Sequence, residues 1–430
     1  MTTVKVAANP AEAISAAKGE PSWMLDLRLK AWRFFEEIPW PTGNEETWRR
    51  TKLTGFNLED YAPVTGADPV AALHEEAARA LAEVASAGNL GIQDGTLRTL
   101  ELDEALARRG VIFCDLDTAV QKYPELVQKY FGSVVAIDEN KFSALSFALW
   151  TSGTFVYVPR NVVLDKPLQA VIHQSAGKRA GYHHTIVATD EGAAVALAED
   201  FLGADGGMTD SVVELIAGPN SQLHYLHLQN LAHTAWNFST QRMYLERDST
   251  LRYFIGSWGS RLSKNWINME LIGQGAGGEL LGLYFPGGRQ HLDHHTNQLH
   301  KASHASSDLL FKGALKDRAR SVYQGYIKVY PGAQKTNAYQ ANRNLILSKQ
   351  ARADSIPGLE IEADDVRCTH GATAGQIPEE YIFYLMARGI DRTNAERMIV
   401  QGFFEEVLDR IPVEGVRNKL EAEIARKLGL

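Results

Sequence analysis

The chain has 430 residues, 45% of them hydrophobic and 22% charged, with a formal charge of -8. It has room for two or three domains, and it lacks the dense Lys/Arg tract that nucleic acid or an anionic membrane surface would require. Its two cysteines, Cys114 and Cys368, exclude a disulfide framework, and neither a signal-like apolar core near Met1–Glu20 nor a run of ~18 apolar residues is present, so a cytoplasmic protein is expected.

Leu25, Leu29, Trp32, Phe35 and Ile38 predict an amphipathic helix from Ser22, which would cap it, to the stop at Pro39 and Pro41. An Ala-rich helix is predicted from Pro69 to about Gly88, capped by Asp68 and ended by Gly88. Apolar runs at Leu97–Leu102, Val111–Leu116 and Val134–Ala136 follow, with a helix at Leu126–Phe131. Residues 1–151 thus form a mixed, mainly helical first domain.

From about Thr154 the texture changes to strand-like runs broken by Gly, Asn, Asp or Ser, and residues 152–366 form a β core. Leu223, Leu251, Leu280 and Leu309 each follow a small or polar turn at a spacing of roughly 28–29 residues, the period of a solenoid. A stacked β-solenoid and a sandwich or jelly roll both account for this texture. Residues 367–430 then turn helical. Pro378 opens one helix and Gly389 closes it, Thr393-Asn394-Ala395-Glu396 reads as a capping box for a second, and Val416, Leu420, Ile424 and Leu428 stripe a third.

The chemistry-bearing residues are few. Cys368 and His370 are two apart, so on an extended segment they share a face and offer a soft metal two ligands. Closed zinc and iron–sulfur sites take about four, so the pair is structural or is completed from elsewhere, including another chain. Arg367, Thr369 and His370 around Cys368 form an environment able to lower a thiol pKa. The cluster His291, Asp293, His294, His295, His300 and His304 has no helical HExxH or paired CxxC spacing, and hydrogen-bonded strand or turn histidines are the favoured reading. Gly273–Gly278 precedes a strand-like run and reads as a tight turn. No P-loop sequence occurs, and Cys114, in an apolar run, reads as an inert core thiol.

Several longer stretches carry a resemblance over nearly the whole chain. They are Leu309–Gly313, Arg320–Gly325, Ala333–Leu345, Asp354–Pro357, Glu360–Glu362, Cys368–Thr373 and Phe383–Gly389, with Glu20–Trp23 and Pro39–Trp48 near the start. In these the sequence resembles the SufB/SufD family of iron–sulfur cluster assembly proteins. SufB-like members carry a cysteine where Ala341 stands and a glutamate where Gly371 stands, so the chain follows the SufD-like branch. The resemblance implies a right-handed parallel β-helix between N-terminal and C-terminal helical domains. It implies a non-catalytic scaffold subunit that pairs with a SufB-like paralogue and is driven by ATP hydrolysis in a SufC-like ABC-type ATPase.

From it we expect His370, supported by Cys368, to meet transient iron or a nascent cluster at the paralogue interface, with no cofactor held tightly by the isolated chain. Phe383, Met386, Phe403, Phe404 and Val407 would receive the ATPase, and an unpaired β-helix end would let the isolated chain form homodimers. Glu362, Asp364 and Asp365 read as a solvated edge. Two other readings start from the residues alone: a polysaccharide lyase or hydrolase using Glu199-Asp200 in a solenoid groove, and a stand-alone metal binder using the histidines of 291–304.

Overall fold

The structure, a computed structural model, describes residues 9–64 and 72–429. Its body is a parallel β-solenoid of about eight turns, each turn giving one strand to each of two ten-stranded sheets. The first sheet runs from Ser152–Val158 through Arg179–Thr189, Met208–Ala217, Trp236–Leu245, Leu262–Leu271, His291–His300 and Arg320–Val329 to Arg352–Ile361. The second runs from Leu168–Gln174 through Ala194–Gly203, Gln222–Leu231, Thr250–Ser257, Gly277–Tyr284, Ser306–Leu315 and Asn337–Ile346 to Arg367–Gly375. Both sheets also take strands from the N-terminal segment. Gly88–Gln93 extends the second sheet in parallel and pairs antiparallel with Thr96–Leu102, while Ile112–Asp115 lies antiparallel on Ser152–Val158.

A column of corners fixes the turn geometry. Asn161, Gly192, Asn220, Asp248, Gly275, His304 and Lys335 all have positive φ. From Gly192 onward each stands two residues before the start of a second-sheet strand. Asn, Asp and Gly tolerate this left-handed region best. The corners also stack: the amide of Asn220 donates to Arg247 O, that of Asp248 to Gln274 O, that of Gly275 to Ser303 O and that of His304 to Gln334 O. The predicted turn at Gly273–Gly278 is one of these corners. A Cβ on Gly273 would strike the backbone of Glu246 and Arg247 in the turn below.

Leu223, Leu251, Leu280 and Leu309 are all buried in the interior. Leu223 stacks on Leu251 and Leu280 on Leu309, but Leu251 stacks on Gly278 because that turn is shorter. The leucine spacing found the repeat, while the corners set its register.

Helices cover both outer faces. The described residues contain α1 (Pro10–Lys18), α2 (Ser22–Glu37), α3 (Glu75–Ala82), α4 (Glu104–Arg108), α5 (Leu116–Lys122), α6 (Pro124–Tyr130), α7 (Lys141–Leu149), α8 (Glu379–Met386), α9 (Arg392–Leu408) and α10 (Glu414–Leu428). α1, α2 and α7 share an apolar core with the outer side of the first sheet, including Phe142, Trp150, Tyr182 and Phe238. α9 and α10 lie on the outer side of the second sheet through Val400, Phe404, Val407, Val416 and Leu420. No helix among the described residues is long and apolar enough to cross a membrane.

Local expectations shift in four places. Pro21, not Ser22, caps α2, and its buried line is Met24, Arg28 and Ala31. Arg28 can lie there because its guanidinium donates to Glu20 at 2.6 and 2.7 Å and to the carbonyls of Ala148 and Trp150. The Ala-rich helix ends at Ala82, and Gly88 opens a strand instead of closing a helix; the predicted start at Asp68 and Pro69 lies outside the described residues. Val134–Ala136 is no strand, because Gly132, Val134 and Val135 wrap their amides around the Glu214 carboxylate at 2.7–3.1 Å. Asp391 accepts from Asn394 and caps α9 one residue before Arg392, so the predicted capping box starts two positions late.

Candidate functional site

Arg352–Ile361 and Arg367–Gly375 end the two sheets, and no described strand pairs beyond them. Arg352–Ile361 is mostly half-buried and Arg367–Gly375 largely exposed, unlike the buried strands before them. Arg367 N donates to Thr336 O. In a parallel ladder alternate residues bond to opposite sides, so the amides of Cys368, His370, Ala372 and Ala374 face the free edge. Leu359 and Ile361 are exposed at the same end.

Cys368 and His370 lie on this last strand, in register with Ala338 and Gln340. Ala338 and Gln340 are inward-facing and buried, and side chains alternate along a strand, so Cys368 and His370 share the inward face at the open mouth. Cys368 is half-buried against Ile327, Val329, Ala333 and Ala338. Burial raises its thiol pKa, although the Ala338 amide acts the other way. This corrects the expectation of an activated thiol: the apolar floor outweighs the polar neighbours in sequence. His370 is exposed. Ala341 and Gly371 are direct partners on the two strands, on the opposite side of the sheet. Glu362, Asp364 and Asp365 are exposed on the turn leading into the last strand.

The other clusters do different work. His291, Asp293 and His295 share the outer face, whereas His294 and His300 point inward and His304 is a turn corner. Lys264 Nζ lies 2.6 Å from Asp293 and 2.9 Å from His295 Nε2, so a lysine ammonium already fills the cation position. Burial alone would raise the Asp293 pKa, but Lys264 and His295 hold it below the ordinary carboxylate range. Thr51 hydrogen-bonds His291 and Asp293, and Thr47 O accepts from Lys264, fastening the N-terminal segment to the sheet. Burial lowers His294 and His300 to about 4.

Glu199 and Asp200 also face opposite sides. Glu199 is interior and accepts from Thr154, Thr185 and Tyr225, while Asp200 pairs with Lys419 of α10 at 2.7 Å. The two carboxylates therefore cannot flank one glycosidic bond, and the lyase or hydrolase reading loses its residues.

The sequence reading missed His74, Glu76 and His173, whose ligand atoms lie within 4.8 Å of one another. The residues are distant in sequence, so no spacing signal exists. The two imidazoles are stacked, 4.1 Å between centroids and 11° from parallel. A metal about 2.1 Å from each nitrogen and in both ring planes is incompatible with that stack. The Gln93 amide also donates to His173 Nδ1, which leaves the ring's hydrogen on Nε2 in the neutral form, the atom that faces Glu76.

On the C-terminal helices, Phe383 is 72% exposed and Met386 is exposed, joined by Tyr381, Tyr384 and Met398. Phe403 is half-buried. Phe404 and Val407 are fully buried, with Phe404 packed 6.0 Å from the Phe285 ring. These two are therefore unavailable to a partner: the apolar stripe of α9 serves attachment to the solenoid.

The family model described as SUF system FeS cluster assembly, SufBD core domain, matches residues 171–403, and that of the SufBD protein N-terminal region matches residues 11–170. Curated relatives include the iron–sulfur cluster assembly SufBD family proteins of Staphylococcus aureus (strain USA300) and Staphylococcus haemolyticus (strain JCSC1435). Each is 31% identical over 423 residues, covering 93% of this chain and 88% of the relative. A two-sheet parallel solenoid with helices at both termini, matched along almost its whole length, places this chain in the SufBD family of iron–sulfur cluster assembly proteins.

Proposed function

We propose that the chain is a SufD-type scaffold subunit, working in the cytoplasm with a SufB-like paralogue and a SufC-like ABC-type ATPase. The observation that carries this reading is the open end: two sheets finish unpaired, and the last strand presents Cys368 and His370 with no further ligand group beside them among the described residues. Free strand edges pair with other strands. Two donors are too few to enclose iron or a cluster, so a second chain docked on this edge supplies both the missing hydrogen bonds and the missing ligands. An isolated chain offers the same edge to a second copy of itself.

Ala341 and Gly371 support the assignment to the SufD branch. They are strand partners, so a cysteine and a glutamate there would form one adjacent donor pair, which this chain lacks. The chain contributes surface and His370, and catalyses no step itself. Iron or the nascent cluster is its cargo: His370, exposed at the mouth, takes iron, and Cys368, held protonated by its apolar floor, supports the wall of the site. ATP hydrolysis belongs to the partner docked on Tyr381, Phe383, Tyr384 and Met386.

The test is the reconstituted three-component complex, assayed anaerobically for iron and sulfide. His370→Ala is expected to cut cluster yield at least about tenfold without dissociating the complex; unchanged yield sinks the reading.

A further inference from the structure

Beneath His370, on the neighbouring strand and on the same inward face, stands Gln340, ~4.8 Å away along the sheet. Its side chain is fully buried. Gln340 Nε2 donates to Gly325 O at 3.3 Å, while Oε1 has no partner. The absence of a side chain at Gly325 makes this arrangement possible, since a Cβ there would lie 2.7 Å from Gln340 Nε2 and would also strike the Tyr323 hydroxyl. That hydroxyl is committed to Thr296 at 2.9 Å. The amide is thus anchored by its nitrogen, and its oxygen remains a buried acceptor, a costly state to leave unmet. Among the described residues it is the unpartnered interior acceptor whose neighbour one strand on is an exposed imidazole. His370 itself makes no hydrogen bond or ion pair with another described residue.

We propose that Gln340 is the positioning residue for His370: its Oε1 accepts one ring N–H and thereby leaves the lone pair of the other ring nitrogen for iron. A neutral imidazole has one N–H and one lone pair, and the acceptor met by the first decides which nitrogen carries the second. Ligating histidines generally donate their other N–H in this way, which fixes the ring and raises its basicity. Because Gln340 Nε2 is held by Gly325, the amide presents its oxygen, and it does so without placing a charge in the interior. The proposal deepens the iron reading above and rests on it for the role of the free nitrogen.

The full-length chain, labelled with 15N-histidine and free of metal, reports the tautomer of His370 through multiple-bond 15N–1H correlations, assigned by the signal lost in His370→Ala. Anaerobic titration with Fe(II) against a competing chelator reports affinity. The expected result is a single His370 tautomer in the native chain, and in Gln340→Leu a mixture with Fe(II) bound about 10–100-fold more weakly. A mixture of tautomers in the native chain overturns the proposal, even if Gln340→Leu fails to fold. An unchanged tautomer and unchanged affinity in a folded Gln340→Leu also overturn it. If Fe(II) binding survives His370→Ala, the iron reading fails, while the tautomer still decides the contact between Gln340 and His370.

Discussion

The two ends of the solenoid are built from the same repeat and finish differently. At the first end the sheets are closed by antiparallel strands, Thr96–Leu102 and Ile112–Asp115, and Ile112–Asp115 shares an apolar core with helices α1, α2, α5 and α7. At the last end Arg352–Ile361 and Arg367–Gly375 remain uncovered, with their outer amides and carbonyls free. A solenoid must cap its end rungs or lend them to another chain. On the function proposed above, the sealed end concentrates stability and the open end association and chemistry.

Substitutions test that division, beginning with the sealed end. Arg28→Met leaves the Glu20 carboxylate, 2% exposed, without its counter-ion, and a loss of about 3–5 kcal/mol is expected in chemical denaturation. Phe404→Ala, in the helix-to-solenoid core, is expected to cost about 3–5 kcal/mol. Phe383→Ala on the exposed face of α8 is expected to stay within about 0.5 kcal/mol of the native stability and, on the proposed function, to weaken binding of a SufC-like ATPase in a titration. Equal stability loss from the two phenylalanines would break the distinction between attachment and docking surfaces.

At the open end, Ala372→Pro removes one outward amide and leaves the inner ladder intact. Association with the paralogue, or with a second copy, should weaken at least about tenfold by sedimentation, with an unchanged melting temperature.

Asp210 sharpens the contrast through pH. It is buried under α7 with both carboxylate oxygens unpartnered, and desolvation raises its pKa well above the ordinary value. The folded chain therefore keeps a proton that the unfolded chain releases above ~3.9. Stability should decline as pH rises from that value toward the folded pKa, by at most about 1.4 kcal/mol per pH unit. Asp210→Asn should flatten this slope in unfolding titrations between pH 5 and 8. The smallest effect is chemical: burial raises both thiols, Cys114 to about 12. Alkylation at pH 7 should be slow at Cys368 and absent at Cys114 until the protein unfolds.

The residue pattern alone revealed much of this architecture. A recurring leucine after each polar turn disclosed a repeat, because every rung must bury one apolar layer on the next, but a solenoid and a sandwich both fitted it until the family resemblance decided for the solenoid. Cys368 and His370 could be placed on one face because alternation is a local property of any strand. The resemblance carried the same local reading to a family role. One helix start followed a local cap that the pattern did not single out: the His74 imidazole accepts from Glu76 N at the start of α3.

What the tertiary structure decided depends on contacts between residues far apart in sequence. Arg28 is buried because Glu20 and two carbonyls at the C-terminal end of α7 meet it. Asp293 and His295 are spoken for because Lys264 arrives from the strand below, and His291, His294 and His300 because Thr51, Ser257 and Ser307 meet them. Phe404 and Val407 are core residues because α9 folds back on the second sheet. The thiol of Cys368 is quiet because Ile327 and Val329 come up beneath it, and only strand register sets Gln340 beneath His370. Periodicity dictates which side of an element a residue takes; only the assembled fold dictates what stands opposite, and desolvation and pairing there set its chemistry.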